Sequence, residues 1–158
     1  MKIDQIILYI SNKYAGLSIN KNWGERGLFY NPGGALPLGA YMMTFKESDG
    51  ANDFSSHINR GGHFFRLNLK ISQPSFLALF GAIPKRPPAG GIVVTGHDFT
   101  ELDAILPHPV YGWMSWIGVL NPTLKTIDYM IEKGYFDEAY NAAIAIFEKK
   151  TNKKLLRA

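Results

Sequence analysis

Cysteine is absent from the 158 residues, which excludes a disulfide framework, a zinc ribbon, an iron–sulfur centre and a thiol nucleophile. Charge is sparse: Asp, Glu, Lys and Arg make up 19% of the chain, below the roughly 25% of an average soluble domain. No apolar run approaches the roughly 18 residues of a membrane span, and the N-terminus has no basic-then-apolar leader. A soluble cytoplasmic protein without a membrane partner is expected. The sequence also lacks a GxSxG elbow, a GxxxxGK[ST] loop and a GxGxxG turn. Gly33-Gly34, Gly61-Gly62 and Gly90-Gly91 are turn glycines without the rest of any phosphate-binding pattern. Phosphoryl transfer and dinucleotide chemistry are therefore not expected, and no cofactor is implied. His57 with His63, and His97 with His108, lack a metal-ligand spacing, so no metal site is expected either.

What is present is an ordinary globular apolar content, 46%, broken by sixteen Gly and nine Pro. That combination suits one domain of many short elements and turns. Ile3, Ile6, Ile7 and Ile10 fall at helical spacing in a segment from Ile3 to Tyr14. Strands are expected over Leu17–Asn22, Gly27–Tyr30 and Gly39–Phe45, joined as a meander. Lys46 to Gly62 has no period and reads as a long loop. His63 to Ile71 alternates clearly: Phe65, Leu67, Leu69 and Ile71 share one face, and Phe64, Arg66, Asn68 and Lys70 share the other. Ser72 or Gln73 with Pro74 opens a short helix, Ser75–Phe80, closed by Gly81.

After a Pro/Gly loop from Pro84 to Gly91, the pattern predicts a short strand over Ile92–Thr95. A brief helix follows, from an Asp98 or Thr100 cap to Leu106. An aromatic strand over Trp113–Leu120 and two helices, Pro122–Lys133 and Tyr135–Lys150, complete the chain. The fold class is α+β, a mostly antiparallel sheet with N-terminal and C-terminal helices packed on one face. The domain occupies residues 1–150, and 151–158 form a basic tail. Lys149, Lys150, Lys153, Lys154 and Arg157, set against Glu148, account for the whole formal excess of +4, so the body is formally neutral.

The densest polar and aromatic cluster runs from Thr95 to Trp113. His97 beside Asp98 has the composition of a base with a supporting carboxylate, although neighbours in an extended segment point apart. The plainer reading makes Asp98 a cap and leaves His97 bonded in its loop. His108 is held between Pro107 and Pro109, near Tyr111 and Trp113. Trp113 and Trp116, three apart on one expected strand, would lie on opposite faces. Arg66 sits among apolar neighbours and needs an anion or a carboxylate, with Asp53, Asp98 and Asp103 as candidates.

The stretch from Gly96 to Pro122, GHDFTELDAILPHPVYGWMSWIGVLNP, together with FRLNLKIS, Leu79–Gly81 and Asn52-Asp53, resembles an uncharacterised bacterial family, number 6194 among the domains of unknown function. The resemblance covers nearly the whole chain and implies no activity. More distantly, the order of elements resembles the MmcQ/YjbR-like proteins, with their double-wing arrangement near the frataxin fold. That resemblance implies DNA binding by fold analogy alone. The segment Ile83–Gly91 and the neutral body depart from it.

The leading functional expectation is a non-catalytic domain that binds a small molecule or peptide in a cleft lined by Arg66, His97, Asp98, His108, Tyr111 and Trp113. One alternative is a nucleic-acid-associated protein using Lys149, Lys150, Lys153, Lys154 and Arg157 for phosphate contacts. Another is a hydrolase or isomerase with His97 as base, supported by Asp98 or Asp103. A dimer through the aromatic strand is compatible with all three.

Overall fold

The isoleucine stripe builds the first helix, α1 (Ile3–Ser11), and all four of Ile3, Ile6, Ile7 and Ile10 are buried. The structure is a computed structural model and describes residues 1–157. Strands β1 (Leu17–Asn22) and β2 (Glu25–Tyr30) form a hairpin turned by Trp23-Gly24, both with positive φ. They are followed by β3 (Ala40–Lys46), β4 (Arg66–Lys70), helix α2 (Gln73–Phe80), β5 (Leu106–Pro107) and β6 (Trp116–Leu120). Helices α3 (Leu124–Glu132) and α4 (Tyr135–Arg157) close the chain.

The six strands make one sheet in the order β1-β2-β3-β4-β6-β5, and every neighbouring pair is antiparallel. The alternation of β4 decides the two faces. Leu67 pairs with Phe45 and Val119, and Leu69 with Met43 and Ile117. These side chains meet Ile6 and Ile10 of α1, Ile127 and Met130 of α3, and Phe136, Ala139 and Ala143 of α4 in one core. The expected architecture is therefore the observed one: helices from both ends cover one face.

Local signals fix the helix ends. Ser72 accepts from the Ser75 backbone N–H, and Gly81 closes α2 in the left-handed region. Glu138 of α4 accepts from the Ser72 N–H and the Ser75 hydroxyl, each at 2.7 Å, setting a carboxylate at the positive end of α2. Thr123 caps α3, and Asp103 in turn accepts from the Thr123 N–H at 2.9 Å.

The second face carries Arg66, Asn68 and Lys70 of β4 opposite Lys46, Thr44, Leu120, Gly118 and Trp116. Four expectations are corrected. Asp98 does not cap a helix: its carboxylate accepts from the Thr100 N–H and hydroxyl at 3.0 and 2.6 Å, a local turn that competes with helix. The residues that follow pair as β5 instead. Ile92–Thr95 forms no strand; Val93 bonds to the Pro109 carbonyl at 2.8 Å and Val94 faces solvent. Trp113 belongs to a 3-10 turn, Gly112–Met114, ended by Ser115 at φ 65°, and β6 begins only at Trp116. The two tryptophans thus share no strand, and the opposite-face argument does not apply to them. Lastly, α4 runs unbroken to Arg157, so the expected tail continues the helix beyond Lys150.

Candidate functional site

Arg66 projects onto the second face and is 2% exposed, a position a guanidinium holds only with its charge paired. Its Nη1 and Nη2 make a bidentate pair with the Asp53 carboxylate. Nη1 also donates to Ser56 Oγ at 2.9 Å, and Nε to Asn68 Oδ1 at 2.7 Å. Asp53 and Ser56 come from the loop after β3. That loop is tied down by a Gly50–Asp53 bridge and by Asp49, which accepts from the Ile58 and Asn59 N–H groups. The apparently unstructured segment thus delivers the counter-charge. Lys46 lies 3.9 Å from Asp53 and 4.0 Å from Glu25, so the charges balance in sign.

The stem of Arg66 needs room, and Gly118 on β6 supplies it. A Cβ on Gly118 would stand 2.9 Å from Arg66 Cδ and 3.3 Å from Cγ. The guanidinium head is pinned, so the stem cannot easily yield. Gly118→Ala is expected to lower folding stability by about 1–3 kcal/mol, the usual cost of overpacking, as read from the urea midpoint. An unchanged midpoint would show that the stem does move.

His108 enters from the far end of β5. Its N–H bonds to the Trp116 carbonyl at 2.9 Å, and the ring is 3% exposed. Nδ1 accepts from the Val110 and Tyr111 N–H groups at 3.1 and 3.0 Å, while Nε2 lies 3.1 Å from Arg66 Nη2. Burial, then the charges of Arg66 and Lys46, hold the imidazole well below its ordinary pKa of 6.5. It is neutral at physiological pH.

Loops close over the β4–β6 part of this face, and the part over β2 and β3 stays open as a cleft of about 450 Å³. Its floor is Phe29, Thr44 and Asn68. One wall is Tyr111, Met114 and Trp116 with His108, and the other is the β1–β2 hairpin, including Trp23 at 92% exposed. Tyr41 stacks obliquely on Trp116 with ring centroids 5.9 Å apart, and Tyr111 lies 5.1 Å from the His108 ring.

Of the six expected cleft residues, Arg66, His108 and Tyr111 come together. His97 does not join them: its Nδ1 is 2.8 Å from Thr95 Oγ1 and its ring meets Phe80 edge-on at 5.3 Å. Asp98 is exposed in its own turn, where the bonds from Thr100 lower its pKa. Trp113 lies under the Arg86 guanidinium, 4.8 Å from the ring centroid, and does not line the cleft. The base-and-carboxylate constellation is likewise not assembled, because Asp98 bonds to Thr100 and Asp103 to Thr123. Lys149, Lys150, Lys153 and Lys154 are exposed on α4, and Lys154 donates to the Ala35 carbonyl at 2.9 Å. The side chain of Arg157 lies outside what the structure describes.

Trp116, Tyr41, Asn68, Thr44, Phe29 and Trp23 are cleft residues that sequence reasoning missed. Asn68 was within reach of it, standing two residues from Arg66 on the same strand face. No group of three or more His, Asp or Glu in metal-binding proximity occurs among the described residues. No helix among them is long and apolar enough to cross a membrane.

Residues 1–152 match the model of DUF6194, a family of unknown function, and the chain belongs to that family. No curated protein and no solved structure matches it. Neither comparison supports the more distant resemblance to the MmcQ/YjbR-like proteins.

Proposed function

We propose that this member of a family without an assigned function is a binding domain for a small organic molecule, seated in the aromatic cleft over β2 and β3. The observation that carries the reading is a preformed concavity of about 450 Å³ with aromatic walls and a fixed polar floor. Ligand sites have this composition: mostly apolar lining, few polar groups, and those held in place. The Arg66–Asp53 pair lies beneath the floor and orients Asn68, while the Val110 and Tyr111 N–H groups hold His108. A binding role fits His108 as well, since its Nδ1 is occupied by the Val110 and Tyr111 N–H groups and is not offered to the cleft as a base.

The three tryptophans provide the test. Trp23 and Trp116 line the cleft, whereas Trp113 is elsewhere. In ¹H–¹⁵N spectra, titration with an aromatic fragment panel is expected to move the indole signals of Trp116 and Trp23 and leave that of Trp113 in place. Trp116→Ala should weaken the same fragments at least tenfold. A panel that moves only Trp113, or none of the three, would overturn the reading.

A further inference from the structure

The hydrogen bonds around His108 and Asn68 do not close, and the mismatch identifies what the cleft recognises. His108 Nδ1 faces two backbone N–H groups, which can only donate. It must therefore be the unprotonated nitrogen, and in a neutral imidazole the proton then sits on Nε2. Nε2–H in turn faces Arg66 Nη2 at 3.1 Å, and a guanidinium has no acceptor. Two donors meet in a buried place with no acceptor between them. The other tautomer would be worse, setting a third donor against the Val110 and Tyr111 N–H groups.

Asn68 continues the pattern. Because Arg66 Nε can only donate, the atom it meets is Asn68 Oδ1, which turns the amide nitrogen to Thr44 Oγ1 at 3.2 Å. Its second N–H has no protein acceptor among the described residues. Thr44 Oγ1 already accepts, so its own O–H is free to donate toward the cleft that both residues line. On the floor itself, Asn68 Nδ2 and Thr44 Oγ1 thus offer two donors, and Asn68 Oδ1, the natural acceptor there, is taken by Arg66. A buried donor without a partner costs about 1–3 kcal/mol, a cost that a ligand acceptor would relieve.

We propose that the cleft takes an aromatic molecule by an acceptor edge, a carboxylate or carbonyl oxygen set on Asn68 and Thr44, with its ring among Tyr41, Tyr111 and Trp116. This rests on the binding reading above and names the chemical class of the ligand. The source of selectivity is donor direction rather than net charge, since Arg66 and Lys46 are matched by Asp53 and Glu25. Amines bring only donors, which the Asn68 N–H and the Thr44 O–H cannot bond.

Three probes of one shape separate the possibilities: 2-naphthoate, 2-naphthamide and 2-naphthylmethylammonium, followed at the Trp116 indole signal of the full chain. Naphthoate and naphthamide are expected to bind at least tenfold more tightly than the ammonium. Thr44→Val removes the floor hydroxyl at nearly the same shape, and should weaken naphthoate about tenfold and leave the ammonium unchanged. Asn68→Asp keeps the acceptor for Arg66 and turns the remaining donor into an acceptor, so it should reverse the preference between the acid and the ammonium. If the ammonium matches or exceeds the acid in the unmodified protein, the donor floor is refuted while the cleft still binds. If no probe moves Trp116 or Trp23, the binding reading itself fails, and this inference with it. Long-range ¹H–¹⁵N correlation must also show His108 protonated on Nε2, and a proton on Nδ1 would overturn the assignment directly.

Discussion

Replacing Asp53 by alanine is expected to remove about 3–5 kcal/mol of folding stability, the cost of leaving a buried charge without its partner. The reason lies in what remains. Arg66 is fully committed: Nε to Asn68, Nη1 to Ser56 as well as Asp53, and only Asp53 bears the opposite charge at bonding distance. The guanidinium cannot lose its proton as a buried lysine can, and its stem is pressed against Gly118. It must stay charged and dry, or the loop from Glu47 to Phe65 must open to admit water. Domains of this size hold about 5–15 kcal/mol in total, so the variant should unfold at a much lower urea concentration. The second half of the experiment separates the unpaired charge from lost packing. Asp53→Ala combined with Arg66→Met should recover most of the loss, because an apolar residue of similar volume needs no counter-charge. A single-variant loss below about 1 kcal/mol would mean that Arg66 reaches water, and the fixed floor of the cleft would lose its basis.

The sequence made the frame of this site readable and hid its contents. The alternation from Phe65 to Ile71 was sufficient to put Arg66 and Asn68 on one face and Leu67 and Leu69 on the other, and the isoleucines of α1 declared which face is core. The partner of Arg66 was readable only as a choice among aspartates. Asp53 lies thirteen residues away in a loop with no period, and its position depends on Asp49 binding the Ile58 and Asn59 N–H groups. His97 and Trp113 were misplaced for a related reason. Both lie near His108 in the chain, but in this stretch tertiary bonds replace local regularity: Val93 to Pro109, Asp103 to Leu120, His108 to Trp116. Sequence proximity says little about spatial proximity where the chain turns at Gly96, Asp103 and Ser115, all at positive φ. Trp23 was invisible for the opposite reason, since a hairpin tip gives no periodic signal and its place in the cleft comes only from how the folded hairpin sits beside the other lining residues.

Acidification from pH 7 toward pH 5 is expected to lower stability through His108, by at most about 1.4 kcal/mol per pH unit below the unfolded pKa. The sign follows from which state takes the proton. In the unfolded chain the imidazole titrates near 6.5, whereas in the fold burial and the charges of Arg66 and Lys46 depress its pKa well below that. As pH falls through 6.5 the unfolded state gains a proton that the native state refuses, so stability drops until the folded pKa is reached. Glu47, lowered by its bond to Arg26, contributes in the same direction but in a lower window. Its stabilisation is complete above about 4.5 and is lost as pH falls through its folded pKa. His108→Asn, which keeps an oxygen to accept from the Val110 and Tyr111 N–H groups but does not titrate, should lessen the fall of the urea midpoint between pH 7 and pH 5. A slope that survives the substitution undiminished would place the titration elsewhere. Geometry reinforces the direction: a proton added to His108 must go to Nδ1, against the Val110 and Tyr111 N–H groups, so protonation also breaks the turn that holds Tyr111 over the cleft. Ligand binding should accordingly fade in the same pH range as stability, and both should depend less on pH in the one variant.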